Sequence, residues 1–92
     1  MIIRKKLKNI MLNLENVKRN DNIITAEYYP EGNKADKGFI EYDITKSKVS
    51  NYVYSERDKE TEMHSYFKKA VNAIEDMIEE NNIQNSKLIM WY

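Results

Sequence analysis

Hydrophobic and polar residues alternate along three segments in the first half of the chain, and a period of two is typical of half-buried β-strands. The segments are residues 22–29, 38–44 and 48–54. Pro30 ends the first, because proline cannot donate a hydrogen bond to a strand ladder. The side chains predicted to share one face are, strand by strand, Ile24, Ala26 and Tyr28, then Ile40, Tyr42 and Ile44, then Val49, Asn51 and Val53.

The segment before these strands, residues 9–18, fits two patterns. Ile10, Leu12 and Leu14 alternate as in a strand, whereas a longer hydrophobic stripe that begins upstream has helical spacing. The turn-forming cluster at residues 19–22, with a strand pattern directly after it, favours a β-hairpin. The sequence therefore predicts a four-stranded antiparallel meander.

The clearest helical periodicity follows the fourth strand. Ser55, Asp58 and Thr61 precede it as candidate N-caps. Asn81 and Asn82 are suited to end it through a residue in the left-handed conformation. The apolar face of the predicted helix consists of Met63, Tyr66, Phe67, Ala70, Ile74, Met77 and Ile78.

The last six residues, Lys87 to Tyr92, are almost all apolar or aromatic. Because exposed apolar chain ends promote association, this ending is predicted to be a strand that is buried in the core. The polar loop at residues 31–37, which contains Gly32, is predicted to be the most mobile segment.

These elements together predict an α+β fold. It would be an antiparallel sheet, made of the four-strand meander plus the C-terminal strand, with one long amphipathic helix packed on one face. The chain is predicted to form a single small domain over residues 1–92, with residues 1–8 as a flexible or edge-strand N-terminal segment.

Composition narrows the classes of protein. Lys and Arg together number 15, as do Asp and Glu, so net charge does not attract the chain to nucleic acid or membrane. The sequence has no signal-peptide pattern and no run of roughly 20 apolar residues that would span a membrane. Together with the absence of cysteine, these features predict a cytoplasmic protein without a membrane segment.

Few residues suit catalysis or cofactor binding. His64 is the only histidine, and no serine, cysteine or carboxylate is spaced to orient it, so it is interpreted as a boundary residue of the helix. A small enzyme that pairs His64 with a carboxylate is the weaker alternative. Two glycines are too few for a phosphate-binding loop, and no metal-binding pattern is present. The sequence therefore predicts no enzyme, no cofactor and no metal site.

Two sets of residues are candidates for binding a macromolecule. The first combines basic residues with strand tyrosines, which would contact phosphates and stack on nucleic-acid bases. Its members are Arg4, Lys5, Lys6, Lys18, Arg19, Tyr28, Tyr29, Tyr52 and Tyr54. The ordinary alternative for these tyrosines is a half-buried ring with a solvated hydroxyl. The second set is Trp91 and Tyr92, on a strand that would pair with a second copy if it lay at a sheet edge.

Four short motifs in this chain are similar to motifs of a known protein family. They are Tyr-Pro-Glu at residues 29–31, the segment at residues 38–43, the helix with His64 and Ala70, and the closing Ile-Met-Trp-Tyr at residues 89–92. Over about residues 10–92, the chain resembles a family of small uncharacterised proteins of Firmicutes bacteria and their mobile elements. The resemblance implies a compact bacterial cytoplasmic protein, and it implies no functional residue because the family has no established activity.

The function predicted from the sequence is a non-enzymatic protein-interaction module. Such a module would bind a protein partner, or associate with itself through a sheet edge or an aromatic patch. The alternative is a nucleic-acid-binding module that uses the basic N-terminal region and the strand tyrosines.

Overall fold

The computed structural model describes residues 10–91, which form a five-stranded antiparallel sheet and two helices. The α+β class is therefore confirmed. The strands lie in the order β4-β3-β2-β1-β5, so β4 and β5 are the two edges. The predictions for residues 1–8 and for Tyr92 lie outside the described residues. The elements are β1 (Ile10–Asn20), β2 (Ile23–Pro30), β3 (Gly38–Asp43), β4 (Lys48–Val53), α1 (Glu56–Lys59), α2 (Ser65–Glu79) and β5 (Lys87–Trp91).

Buried side chains of the first three strands share one face of the sheet, which is called the inner face. In β1 the alternation shifts by one residue between Glu15 and Lys18, so Val17 joins Leu12 and Leu14 on this face. The strand pattern at residues 9–18 is confirmed, because Ile10–Asn20 is a strand rather than a helix. The predicted inward residues of β2 and β3 are also confirmed. The core cluster contains Leu12, Leu14, Val17, Ile24, Ala26, Tyr28, Ile40 and Tyr42 from strands and Ala70, Ala73, Ile74 and Met77 from α2.

The predicted faces of β4 are wrong. Val49 lies opposite Tyr42, and Tyr52 lies opposite Ile40, so Val49 and Tyr52 share the inner face. Asn51 therefore lies on the opposite, outer face. The reason is a β-bulge, which adds one unpaired residue to β4 and reverses the alternation after it.

The helix α2 begins later than its apolar pattern predicts. Met63 precedes the helix and is 65% exposed, so it does not belong to the buried stripe. The predicted end is confirmed, because Asn81 has a φ of 54°. The N–H groups of Asn82 and Asn81 bond the carbonyls of Met77 (2.9 Å) and Ile78 (3.0 Å). These two bonds form a Schellman motif, which satisfies carbonyls that the helix itself leaves unpaired.

The C-terminal strand is present, but it is only half buried. Ile89 and Trp91 pack against the core, whereas Leu88 is 55% exposed and Met90 is 52% exposed. The prediction that the whole ending is buried is therefore wrong for alternate residues. Because β5 is an edge strand, only one of its faces meets the core.

The loop at residues 31–37 is attached to the rest of the fold at several points. The N–H of Glu31 bonds the carbonyl of Met11 at 2.8 Å. The Asp36 carboxylate accepts the N–H groups of Glu56 (2.6 Å) and Arg57 (3.1 Å), at the start of α1. The loop therefore positions α1 against the sheet.

Candidate functional site

Asp58 belongs to α1, and its side chain is buried where α1 meets the start of α2. Its carboxylate accepts the backbone N–H groups of Tyr66 (3.2 Å) and Phe67 (2.8 Å) and the hydroxyl of Tyr28 (2.7 Å). The first N–H groups of a helix have no partner within it, so Asp58 caps α2 from outside. Burial is the main cause that raises the pKa of Tyr28 above its ordinary value, and this hydroxyl stays protonated. The cluster joins α1, α2 and β2, which is a structural role.

His64 lies half-buried at the N-terminus of α2, with a φ of 47°. Its ring stacks on Tyr54, with centroids 4.1 Å apart and planes at 8°. Its Nδ1 lies 2.8 Å from the backbone carbonyl oxygen of Asp58, and since a carbonyl only accepts, Nδ1 donates. The imidazole thus bonds the peptide group of Asp58 rather than its carboxylate. The two residues do not form the acid–base pair that a mechanism based on His64 would need.

Two further carboxylates bond tyrosine hydroxyls. Glu31 accepts from Tyr66 at 2.6 Å, and Glu75 accepts from Tyr42 at 2.9 Å. Burial, reinforced by these carboxylates, raises the pKa of Tyr66 and that of Tyr42 to about 12. Both hydroxyls therefore remain hydrogen-bond donors at neutral pH.

Several absences hold for the described part of the chain. Among residues 10–91, no group of three or more His, Asp or Glu side chains is close enough to hold a metal ion. Over the same residues, no helix is both long and apolar enough to cross a membrane.

The outer face of the sheet carries a network of paired charges. Glu27 accepts hydrogen bonds from the Asn16 amide (2.6 Å), the Tyr29 hydroxyl (2.9 Å) and Lys37 (3.1 Å). The Asn16 bond is the largest cause that lowers the pKa of Glu27. Lys34 lies 4.5 Å from the centroid of the Tyr29 ring. Loop lysines on this face therefore meet acidic and aromatic partners of the same chain.

The basic residues predicted for nucleic-acid binding are not brought together where they can be described. Arg4, Lys5 and Lys6 lie outside the described residues. Lys18 is opposite Thr25 and Arg19 is opposite the buried Ile24, so Lys18 and Arg19 point to opposite faces of the sheet.

The four tyrosines of that prediction lie in three places. Tyr28 is fully buried, so its ring is not accessible to a base, and Tyr29 lies on the opposite face. Tyr52 and Tyr54 are neighbours, with ring centroids 4.8 Å apart, and both contact Phe67. They belong to an aromatic cluster beside the N-terminus of α2 and do not share a surface with Tyr29.

Hydrogen bonding determines which backbone groups of β5 face outward. Since the N–H of Glu31 bonds the carbonyl of Met11, Met11 directs its backbone groups toward β2, and Leu12 directs its own toward β5. Leu12 is opposite Ile89, so Ile89 bonds β1. The residues on either side of Ile89 therefore direct their N–H and C=O groups away from the sheet.

The outer edge of β5 thus presents the backbone groups of Leu88 and Met90. Within residues 10–91, no strand pairs with this edge. The side chains of Leu88 and Met90 lie on the outer face, beside Asn13 and Met11. This combination of exposed backbone groups and exposed apolar side chains is what a strand-pairing partner would recognise.

The opposite edge, β4, is protected by its own residues. Since the N–H of Ile44 bonds the carbonyl of Asn22, Ile40 also directs its backbone groups toward β2, and Tyr52, opposite Ile40, directs its N–H outward. The Asn51 side chain accepts this N–H at 2.9 Å. The bulge at Ser50 interrupts the edge, and Lys48 places a charge on it. Bulges and charges are the means by which edge strands avoid pairing with other chains. On β5 the described residues provide one charge, Lys87, and no register shift against β1.

Comparisons with known proteins identify no relative. No family model matches the chain, no curated protein is similar to it, and no solved structure matches it. The resemblance to small Firmicutes proteins therefore stays a prediction.

The sequence reasoning missed Leu88 and Met90 as candidate contact residues and Asp58 as the joint between helices. Alternation within β5 was visible, because Leu88 and Met90 flank Ile89. Leu88 and Met90 are exposed because β5 lies at an edge of the sheet, where only one face of the strand meets the core. The local sequence contains no signal for that position. Asp58 was recognised as a candidate cap, but its contact with Tyr28 joins residues 30 positions apart.

Proposed function

We propose that the chain is a non-enzymatic, cytoplasmic protein-interaction module that binds its partner along the outer edge of β5. In this proposal α2 covers the inner face of the sheet, since its buried residues share one core cluster with the strands. The observation that carries the proposal is a difference between the two edges of the sheet. The outward N–H of Tyr52 on β4 is bonded by the Asn51 side chain, whereas no strand within residues 10–91 pairs with the outer edge of β5.

Strand addition would use both kinds of exposed group on β5. Main-chain hydrogen bonds to Leu88 and Met90 would provide affinity, and their side chains would provide an apolar contact. Burial of apolar surface contributes roughly 25 cal/mol per Å². Met11, opposite Met90 on the outer face, would extend the same contact.

The hydrogen-bonded carboxylates support a non-enzymatic role. Asp58 uses its oxygens to cap α2 and to hold Tyr28. Glu31 and Glu75 each hold a tyrosine hydroxyl. Carboxylates that hold these structural bonds would have to give them up or share them to accept a proton from a substrate.

Site-specific photo-crosslinking tests this function. A photoreactive residue is placed at Leu88 and, as a matched control, at Val53 of the other edge, which has nearly the same exposure (55% against 54%). In the host cell, the full chain should give a discrete protein adduct from position 88 and none from position 53. Equal adducts from both positions, or none from position 88, would contradict the proposal.

Nucleic-acid binding, the alternative function, is tested separately. Oligonucleotide binding that weakens steeply with salt, measured on the purified chain, would support the alternative module based on basic residues and tyrosines. Together with equal crosslinking from positions 88 and 53, that result would replace the protein-interaction function with the nucleic-acid-binding one.

A further inference from the structure

The edge sequence of β5 is complementary to itself, and we propose that its partner is a second copy of this chain. This inference rests on the proposed function and names the partner for the same edge. The two copies would pair β5 with β5 in antiparallel fashion about a two-fold axis through Ile89. Because each copy has one β5, the contact closes on itself and joins two five-stranded sheets into one.

The backbone groups specify this register. With Ile89 opposite Ile89 of the second copy, each Leu88 lies opposite Met90 of the other chain. Leu88 and Met90 are the residues of β5 whose N–H and C=O groups point outward. Both outward residues of each copy then enter hydrogen-bonded pairs, and Ile89 forms the non-hydrogen-bonded pair between them.

Side-chain contacts are favourable in the same register. Leu88 and Met90 of one copy meet Met90 and Leu88 of the other, so four exposed apolar side chains become contiguous on the outer face. On the inner face, each Lys87 lies opposite Trp91 of the second copy. Trp91 already accepts one cation over its ring, since Lys69 Nζ lies 5.4 Å from its centroid, and a lysine beside a tryptophan is attractive.

Repulsion between the two Lys87 side chains does not oppose self-pairing in this register. Lys87 is the one charged side chain of β5. With Lys87 opposite Trp91, the two Lys87 residues are four positions apart along the strands, which is about 13 Å at the usual strand rise. That separation exceeds the Debye length of about 8 Å at physiological salt, so their repulsion is screened.

The other edge does not offer an equivalent contact. A head-to-tail arrangement would pair β5 with β4 and would grow without closing. At β4 the outward N–H of Tyr52 is already bonded by Asn51, and the bulge at Ser50 breaks the ladder. A closed dimer through β5 is therefore the assembly that the edges favour.

Sedimentation of the purified full chain tests the stoichiometry. The chain should sediment as a dimer, and Met90→Pro should weaken the dimer by at least tenfold, because proline removes an outward N–H while leaving the bonds from Ile89 to β1. Leu88→Lys should do the same by placing a charge in the apolar contact. The matched Val53→Lys variant should remain dimeric, and circular dichroism should show that all variants are folded.

A chain that sediments as a monomer at concentrations up to about 1 mM would overturn the dimer, because a dissociation constant above that value corresponds to very weak binding. Equal dissociation by Val53→Lys would also overturn it. If the purified chain is monomeric while Leu88 still crosslinks to a different protein in the host cell, the self-pairing is wrong and the proposed function survives. If neither occurs, both are wrong.

Single-cysteine variants test the register, since the natural chain contains no cysteine. Ile89→Cys should form a disulfide with its symmetry mate under mild oxidation, because Cα atoms of a non-hydrogen-bonded pair lie about 4.5 Å apart. Leu88→Cys should not, since its symmetry mate is two positions away along the strand. Val53→Cys is the control for random collision. Crosslinking of Leu88→Cys in preference to Ile89→Cys would overturn the register.

Discussion

A single buried carboxylate joins three elements of this fold. Asp58 receives two amide hydrogen bonds from the start of α2 and the hydroxyl of Tyr28 from β2. The Tyr28 hydroxyl in turn accepts the N–H of Ser55 at 3.0 Å. At the residue scale, the buried polar groups of this region are partners for one another.

We expect Asp58→Asn to destabilise the protein by about 1–3 kcal/mol. Tyr66 and Phe67 donate to different oxygens of the carboxylate, whereas the amide has one acceptor oxygen, so its NH2 would face one N–H group that also donates. Urea denaturation of the variant measures the loss. Glu56→Gln, on the exposed side of α1, is the control and should change the stability by less than about 0.5 kcal/mol. An unchanged midpoint in Asp58→Asn would contradict the capping role.

Gly38 provides a second prediction at the residue scale. It lies opposite Tyr28, and a Cβ at this position would overlap the atoms of the Tyr28 ring. Gly38→Ala should therefore cost about 1–3 kcal/mol through overpacking. Thermal melts should show a smaller cost for the same change in a Tyr28→Leu background, because the clashing ring is then absent. An equal cost in both backgrounds would assign the effect to the backbone.

At the element scale, local irregularities decide which face and which edge of a strand is available. The bulge in β4 brings Val49 and Tyr52 to the same face and interrupts the edge of the sheet. No shift interrupts the pairing of β5 with β1. Two edge strands of similar length therefore differ in their readiness to accept another strand.

The C-terminus of α2 gives a prediction at the same scale. Asn81 holds the left-handed conformation of the Schellman motif, which glycine adopts without steric cost. The free energy of unfolding should rise in the order Asn81→Ala, wild type, Asn81→Gly, with about 1–2 kcal/mol between the extremes. Chemical denaturation measures the order. Asn82→Gly is the matched control and should give no gain, since positive φ is required only at the preceding residue.

For the whole molecule, two tyrosines predict how stability depends on pH. The pKa values of Tyr42 and Tyr66 are raised to about 12 in the folded state, against an ordinary value near 10. Their contribution to stability is therefore fully present below about pH 10 and is lost as the pH rises toward 12. Denaturation across this range should show the decline, with a shallower slope in Tyr42→Phe. A flat profile between pH 10 and 12 would contradict the buried environment.

Much of the fold could be predicted because its signals are local. Alternation identified β2 and β3 with their inward residues, and helical spacing identified α2 from Tyr66 onward. The bulge in β4 was not predictable, since the extra residue is defined by its partners across the sheet. Met63 continues the helical spacing, yet His64 takes a left-handed conformation directly after it and the helix starts at Ser65.

The candidate site was less predictable than the fold. Of the nine residues proposed for nucleic-acid binding, those that the structure describes lie on both faces of the sheet, and Tyr28 is buried in the core. Residue type alone does not determine accessibility, because tyrosine suits both a core and a surface. The edge residues Leu88 and Met90 resemble core residues in the sequence and became candidates only through their exposure.

The sequence by itself determined the strands, the long helix and the α+β class, since periodicity and turn residues act over a few neighbours along the chain. It did not predict the short helix α1. It did determine that the C-terminal segment is a strand. Only the tertiary structure decided that this strand lies at an edge beside β1, with Leu88 and Met90 facing outward. Strand order depends on pairings between distant residues, and those pairings determine which backbone groups are left to bind a partner.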